Sequence, residues 1–136
     1  MVGPRVFTLE EANALIPDLE VAFAELNVLR DQMKNDKVKL NALEMIWGGS
    51  LHDEDCPDHG EAGALVESLR KLPEEAAEQV EQIAHMGATV KDVKKGLADL
   101  YHVRDGRLVF LCWQRGEDEL TCWHHVDEGF ADRQPV

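Results

Sequence analysis

The side chains able to do chemistry in this sequence of 136 residues gather in two places. The first is His52-Asp53-Glu54-Asp55-Cys56-Pro57-Asp58-His59, two imidazoles, one thiol and four carboxylates in eight residues. Imidazole and thiolate suit a divalent transition metal such as zinc, and a loop can fold His52, Cys56 and His59 around a tetrahedral centre. The same run also makes an ordinary solvated acidic link, with Asp58 or its neighbour capping the helix that follows. The second place is the stretch from Gly96 to Pro135, which holds two of three tryptophans, two of three cysteines and three of six histidines. Within it Asp99, Cys112, Cys122 and His124 fall on one face of a predicted sheet and form a ligand set by type. Against that, a buried free cysteine ordinarily behaves as a small apolar residue.

Two further arrangements follow. If the link folds over the sheet, His59 and His124 could join Asp99 or Glu117 in a two-histidine, one-carboxylate site. Such a site keeps coordination positions open for metal-assisted hydrolysis or oxidation. Cys112 with His124 could instead act as a thiol nucleophile, but that needs a partly exposed sulfur, and Cys112 lies between Leu111 and Trp113. Arg133 could clamp a carboxylate-bearing ligand bidentately, or simply pair with Glu117 or Asp99. There is no glycine-rich phosphate loop, nucleophile elbow or dinucleotide fingerprint.

The elements that must position these groups are legible from periodicity. Thr8-Leu9-Glu10-Glu11 is a capping box, with Phe7 before it as a hydrophobic staple. It opens a long helix over 7–47, whose narrow seam is Leu9, Ala12, Ile16, Leu19, Phe23 and Leu26, then Leu29, Met33, Leu40, Leu43 and Trp47. Pro17 predicts a kink, and Gly48-Gly49 the end. A second helix over 61–86 carries Leu65, Leu69, Leu72, Ala76, Val80 and Ile83, with Pro73 inside it and Gly87 as its C′ residue. A meander over 97–126 follows, then a tail over 127–136. Its strands are Leu97–Val103, Arg107–Gln114 and Glu119–Val126. Asp105-Gly106 is the type I′ hairpin signal and sets Val103 opposite Leu108 and Asp99 opposite Cys112. A second loop of three residues would set Gln114 opposite Leu120 and Cys112 opposite Cys122. The middle strand, apolar on both faces, is predicted to be covered on both.

Twenty-seven acids against fourteen bases give a net charge of −13. A field of that sign repels phosphate backbones, so nucleic acid is not an expected partner. No run is long and apolar enough to span a bilayer, and no signal core follows the N-terminus, so neither a membrane partner nor secretion is expected. An odd number of cysteines fits free thiols in the cytoplasm.

The chain resembles, across nearly its whole length, a bacterial and archaeal family catalogued as domain of unknown function 2203. The matching pieces are Phe7-Thr8-Leu9-Glu10-Glu11-Ala12-Asn13, Val90-Lys91-Asp92, Gly96-Leu97-Ala98-Asp99 and Asp105-Gly106-Arg107. Leu111-Cys112-Trp113 with Gly116-Glu117, Trp123-His124 and Gly129-Phe130-Ala131-Asp132-Arg133-Gln134-Pro135 complete them. Cys122 and Asp132 depart from the family pattern. The resemblance implies a helical-hairpin protein with a small sheet and no established activity.

The reading is therefore one α+β domain over 1–136, a long antiparallel helical hairpin packed on a three-stranded antiparallel meander. The overhang of the first helix is expected to pair two copies as a homodimer. Two functions follow from it: an acidic oligomeric interaction or scaffold protein, or a metal-binding protein or metal-dependent enzyme. The second would draw on His52, Cys56, His59, Asp99, Glu117 and His124, with Arg133 as a ligand contact.

Overall fold

The computed structural model describes residues 5–136. The long helix α1, Leu9–Trp47, starts on the expected capping box. The Thr8 N–H donates to Glu11 Oε1 at 2.9 Å, and the Glu11 N–H donates back to Thr8 Oγ1 at 3.1 Å. The two bonds satisfy donors that a helix start leaves bare. Pro17 lies inside α1 without ending it. The helix stops before Gly48, whose φ of +57° suits a residue without a Cβ. Helix α2, His59–Met86, likewise runs through Pro73 and stops at Gly87, with φ +101°. A Cβ on Gly87 would sit 2.8 Å from the Phe7 ring, so the turn out of α2 and the burial of Phe7 depend on the same missing atom.

The chain divides into two compact units. One is Asn27–Glu78; the other joins the described residues up to Leu26 to Gln79–Val136. In the first, Leu29, Leu51, Ala62, Leu65 and Leu72 are buried, and the buried Asp36 accepts a 2.6 Å bond from the Ser68 hydroxyl. The predicted seam Met33, Leu40, Leu43 and Trp47 is only half-buried.

The second unit contains an antiparallel sheet of five strands in the order β1-β2-β3-β4-β5, where the sequence predicts three. They are β1 Ala88–Asp92, β2 Leu97–Arg104, β3 Arg107–Gln114, β4 Cys122–His125 and β5 Gln134–Pro135. The two added strands are edge strands. β1 is short and β5 has two residues, so each depends on a longer neighbour for pairing rather than on its own pattern. The third predicted strand is shorter than expected for a definite reason. The Leu120 N–H is taken by Asn13 Oδ1 of α1 at 2.6 Å, and the Gln114 N–H by Glu117 Oε1 at 2.6 Å. Gln114 and Leu120 therefore do not pair, and the connection is longer than three residues. The Asp105-Gly106 turn has φ of +51° and +75°, and the pairs Val103↔Leu108, Asp99↔Cys112 and Cys112↔Cys122 form as the spacing predicts.

Five consecutive residues of β3, Val109–Trp113, are buried, as a strand covered on both faces must be. Ala12, Ile16, Leu19 and Phe23 are the buried stripe of α1. The Phe23 ring meets Trp113 edge-on at 5.3 Å, which sets α1 against the Trp113 face. Asp99, Cys112 and His124 alternate onto the opposite face. β1 covers β2 only as far as Leu100; beyond it Val6 bridges Tyr101 in parallel. The Phe7 N–H donates to Tyr101 O at 2.8 Å, and His102 Nδ1–H donates to Phe7 O at 2.7 Å. No helix of the described residues is long and apolar enough to cross a membrane.

Candidate metal centre

Among the described residues, one group of three possible metal ligands has its donor atoms within 4.8 Å of one another: Asp99, Cys112 and His124. Each comes from a different strand. Asp99 of β2 lies directly opposite Cys112 of β3, and His124 of β4 pairs with Phe110, two residues back on β3. The sheet ladder, not a flexible loop, thus fixes the spacing. All three are buried, at 3, 2 and 2 % exposure.

The imidazole is held at both nitrogens. His124 Nδ1 is 2.8 Å from the His125 carbonyl oxygen, which can only accept, so Nδ1 carries a proton. Nε2 lies 3.1 Å from Asp99 Oδ1, a hydrogen-bonded ion pair when Nε2 also carries a proton. Two acceptors at that separation need a cation or a proton between them. A backbone carbonyl behind the distal nitrogen is also the usual support of a metal-ligating histidine. The other carboxylate oxygen, Asp99 Oδ2, faces Lys91 Nζ of β1 at 4.0 Å.

Cys112 is reduced, as are Cys56 and Cys122. Burial pushes the Cys112 thiol up to about 12, with the Asp99 charge adding to it and Arg133 opposing it. Such a thiol is protonated at neutral pH and is a poor nucleophile by itself. A cation between Asp99 and His124 would supply the charge that releases its proton. Asp99 and Cys112 line a cavity of about 190 Å³ shared with Lys91, Leu97, Glu128, Gly129 and Phe130.

The other residues singled out from the sequence sit elsewhere. His52, Cys56 and His59 belong to the Asn27–Glu78 unit. His59 Nδ1 bonds Leu51 O at 3.0 Å, and Asp58 accepts from Trp47 Nε1–H at 2.7 Å. Both link histidines border a cavity of about 210 Å³ with Leu40, Glu44 and Leu51. Glu117 bends back on its own loop, its carboxylate on the Gln114 N–H and its carbonyl on Trp113 Nε1–H at 3.1 Å. Cys122 faces Cys112 across the ladder but lies outside the cluster. Arg133 stacks over the Phe130 ring at 4.0 Å rather than pairing with Glu117 or Asp99. Lys91 and Glu128 were not legible as neighbours of this cluster. Lys91 reaches it only through β1, which its sequence hardly signals.

The model of one family, described as "Uncharacterized conserved protein (DUF2203)", matches residues 5–136 of the chain. Comparison with curated proteins and with solved structures finds no match.

Proposed function

We propose that this chain, which belongs to the DUF2203 family, binds one divalent transition metal, zinc by preference, between Asp99, Cys112 and His124. The observation that carries the reading is the convergence of three buried ligand atoms from three strands within 4.8 Å, with His124 Nε2 and Asp99 Oδ1 3.1 Å apart and a thiol beside them. Zinc sits about 2.0–2.2 Å from nitrogen and oxygen ligands, so a cation bridging that gap would subtend about 100°, close to tetrahedral. One nitrogen, one oxygen and one sulfur are a borderline-soft set that suits zinc. Three protein ligands leave a fourth position for water or substrate, the arrangement of catalytic rather than structural zinc. When bound there, the metal supplies Lewis-acid polarisation or a water of lowered pKa. The chain contributes the carbonyl of His125 that orients the His124 ring, the apolar wall of Leu97 and Phe130, and a lysine beside Asp99.

The test is elemental mass spectrometry on untagged protein purified without chelator, followed by zinc titration. About one equivalent of zinc, or uptake of one equivalent on supplementation, is expected. Protein that stays metal-free in excess zinc would overturn the reading.

A second reading rests on α1. Val38, Met45 and Ile46 are 61, 87 and 68 % exposed, beside the half-buried seam. We infer that a second copy covers this surface, as the helical-hairpin reading expects. Light scattering should give twice the mass of the chain, and I46E should return it to the monomer. A monomeric mass at micromolar concentration would refute it.

A further inference from the structure

We propose that the groove between the end of α1 and the first turns of α2 holds a small ammonium ion with an apolar body, anchored by Glu44. The groove lies wholly within the Asn27–Glu78 unit and does not depend on the metal reading. Its volume is about 210 Å³. Drug-sized molecules take sites of about 300–1,000 Å³, so the ligand here is smaller. Bonds local to the link build the mouth. The Trp47 indole N–H donates to Asp58 at 2.7 Å, tying the end of α1 to the start of α2, and His59 Nδ1–H donates to Leu51 O at 3.0 Å. Leu51, 3 % exposed, is thereby fixed as an apolar floor.

Charge selects the sign of the ligand. No lysine or arginine borders the groove, and its carboxylates are Glu44 and Glu67. Glu67 is already engaged by Arg70 and Lys71. Glu44 is exposed at the rim and makes no hydrogen bond or ion pair among the described residues. His52 and His59 are the remaining polar side chains of the lining. On a chain of charge −13, an anion entering this groove meets no lysine or arginine, whereas an ammonium meets Glu44. Leu40, Leu51 and Val66 supply apolar wall, and Val66 is left 55 % exposed on it.

Gly63 is the second, independent support. It lies inside α2 with no positive φ, where only proline is a poorer helix former than glycine. A Cβ there would meet nothing within 4 Å. Neither backbone conformation nor a close neighbour calls for glycine at this position. What the missing side chain leaves is room in the groove that Gly63 lines.

The experiment titrates the full-length protein with phenethylamine at neutral pH and low ionic strength, following backbone amide shifts by NMR. Phenethyl alcohol and hydrocinnamate serve as the neutral and anionic counterparts. The amine should shift the amides of Leu51, His59 and Gly63 saturably and bind about fivefold tighter than the alcohol, the worth of one exposed ion pair. Hydrocinnamate should bind more weakly than either. E44Q should bring the amine to the level of the alcohol. G63L should remove amine binding while melting no lower than wild type, since leucine both favours helix and fills the space. If G63L does not fold, E44Q and the map of shifts decide the question. No saturable shift at millimolar amine, shifts lying outside the groove, or amine and alcohol binding alike would each overturn the proposal. So would an unchanged amine affinity in E44Q or in folded G63L.

Discussion

D99N is expected to weaken zinc on the order of a hundredfold or more while leaving the metal-free protein within about 1 kcal/mol of wild type. The two effects separate because they depend on different properties of one side chain. Asparagine has the volume of aspartate, and its amide offers both a donor and an acceptor to His124 Nε2, which Asp99 Oδ1 now faces at 3.1 Å. The amide carbonyl still lies toward Lys91, and the buried charge is gone, which offsets the lost ion pair. A neutral amide is nevertheless a poor zinc ligand. Zinc at a thousand times its dissociation constant should stabilise the wild type by about 4 kcal/mol, roughly 12 °C in melting temperature for a domain of this size. The same zinc concentration should give D99N about 1.4 kcal/mol, roughly 4 °C. Melting curves with and without zinc decide the matter. An equal zinc shift in both proteins would remove Asp99 from the ligand set.

In metal-free protein, stability should fall as the pH rises above 9, and Cys112 should account for the fall. The folded thiol holds its proton up to about 12 against an ordinary 9.0, chiefly because it is buried and secondarily because of Asp99. Below pH 9 both states are protonated and the thiol's contribution is fully present. Between 9 and 12 only the unfolded chain releases the proton, so each pH unit draws the equilibrium toward unfolding by about 1.4 kcal/mol. Summed across the window the loss is about 4 kcal/mol at most. Urea midpoints from pH 8 to 11 in chelator should diverge steadily between wild type and C112A, the variant holding up better. Parallel curves would show that the thiol titrates alike in both states. Iodoacetamide at pH 8 should, by the same reasoning, reach the half-buried Cys56 and Cys122 well before Cys112.

Much of this centre could be read from the chain because a two-residue turn transmits register without error. Once Asp105-Gly106 is a hairpin, Asp99 must face Cys112, and the pleat then sends both side chains to one face. The capping box was equally plain, being a local exchange of bonds. What escaped is non-local. β1 shows only a weak alternation, and β5 exists because β4 has a free edge, so neither Lys91 nor the Glu128–Phe130 wall could be placed beside the cluster. Two histidines and a cysteine in eight residues look like a ligand set, but turn bonds such as His59 N–H to Cys56 O determine where they point. Glu117, an acid of the right type for a ligand, braces its own loop through the Gln114 N–H. Asn13, within α1, is the anchor that takes the Leu120 N–H out of the ladder.

The parallel bridge from Val6 to Tyr101 has a consequence for the order of events on the ribosome. His102 and Phe7, which share a hydrogen bond, are separated by 95 positions. At about 5–20 residues per second the ribosome takes roughly 5–20 s to make that intervening chain. Throughout that interval Phe7 and the apolar stripe of α1 have been synthesised, while the strands that bury them have not. A nascent chain arrested before residue 97 should therefore be cleaved readily by added protease, and one arrested once Gln114 has cleared the exit tunnel should resist it.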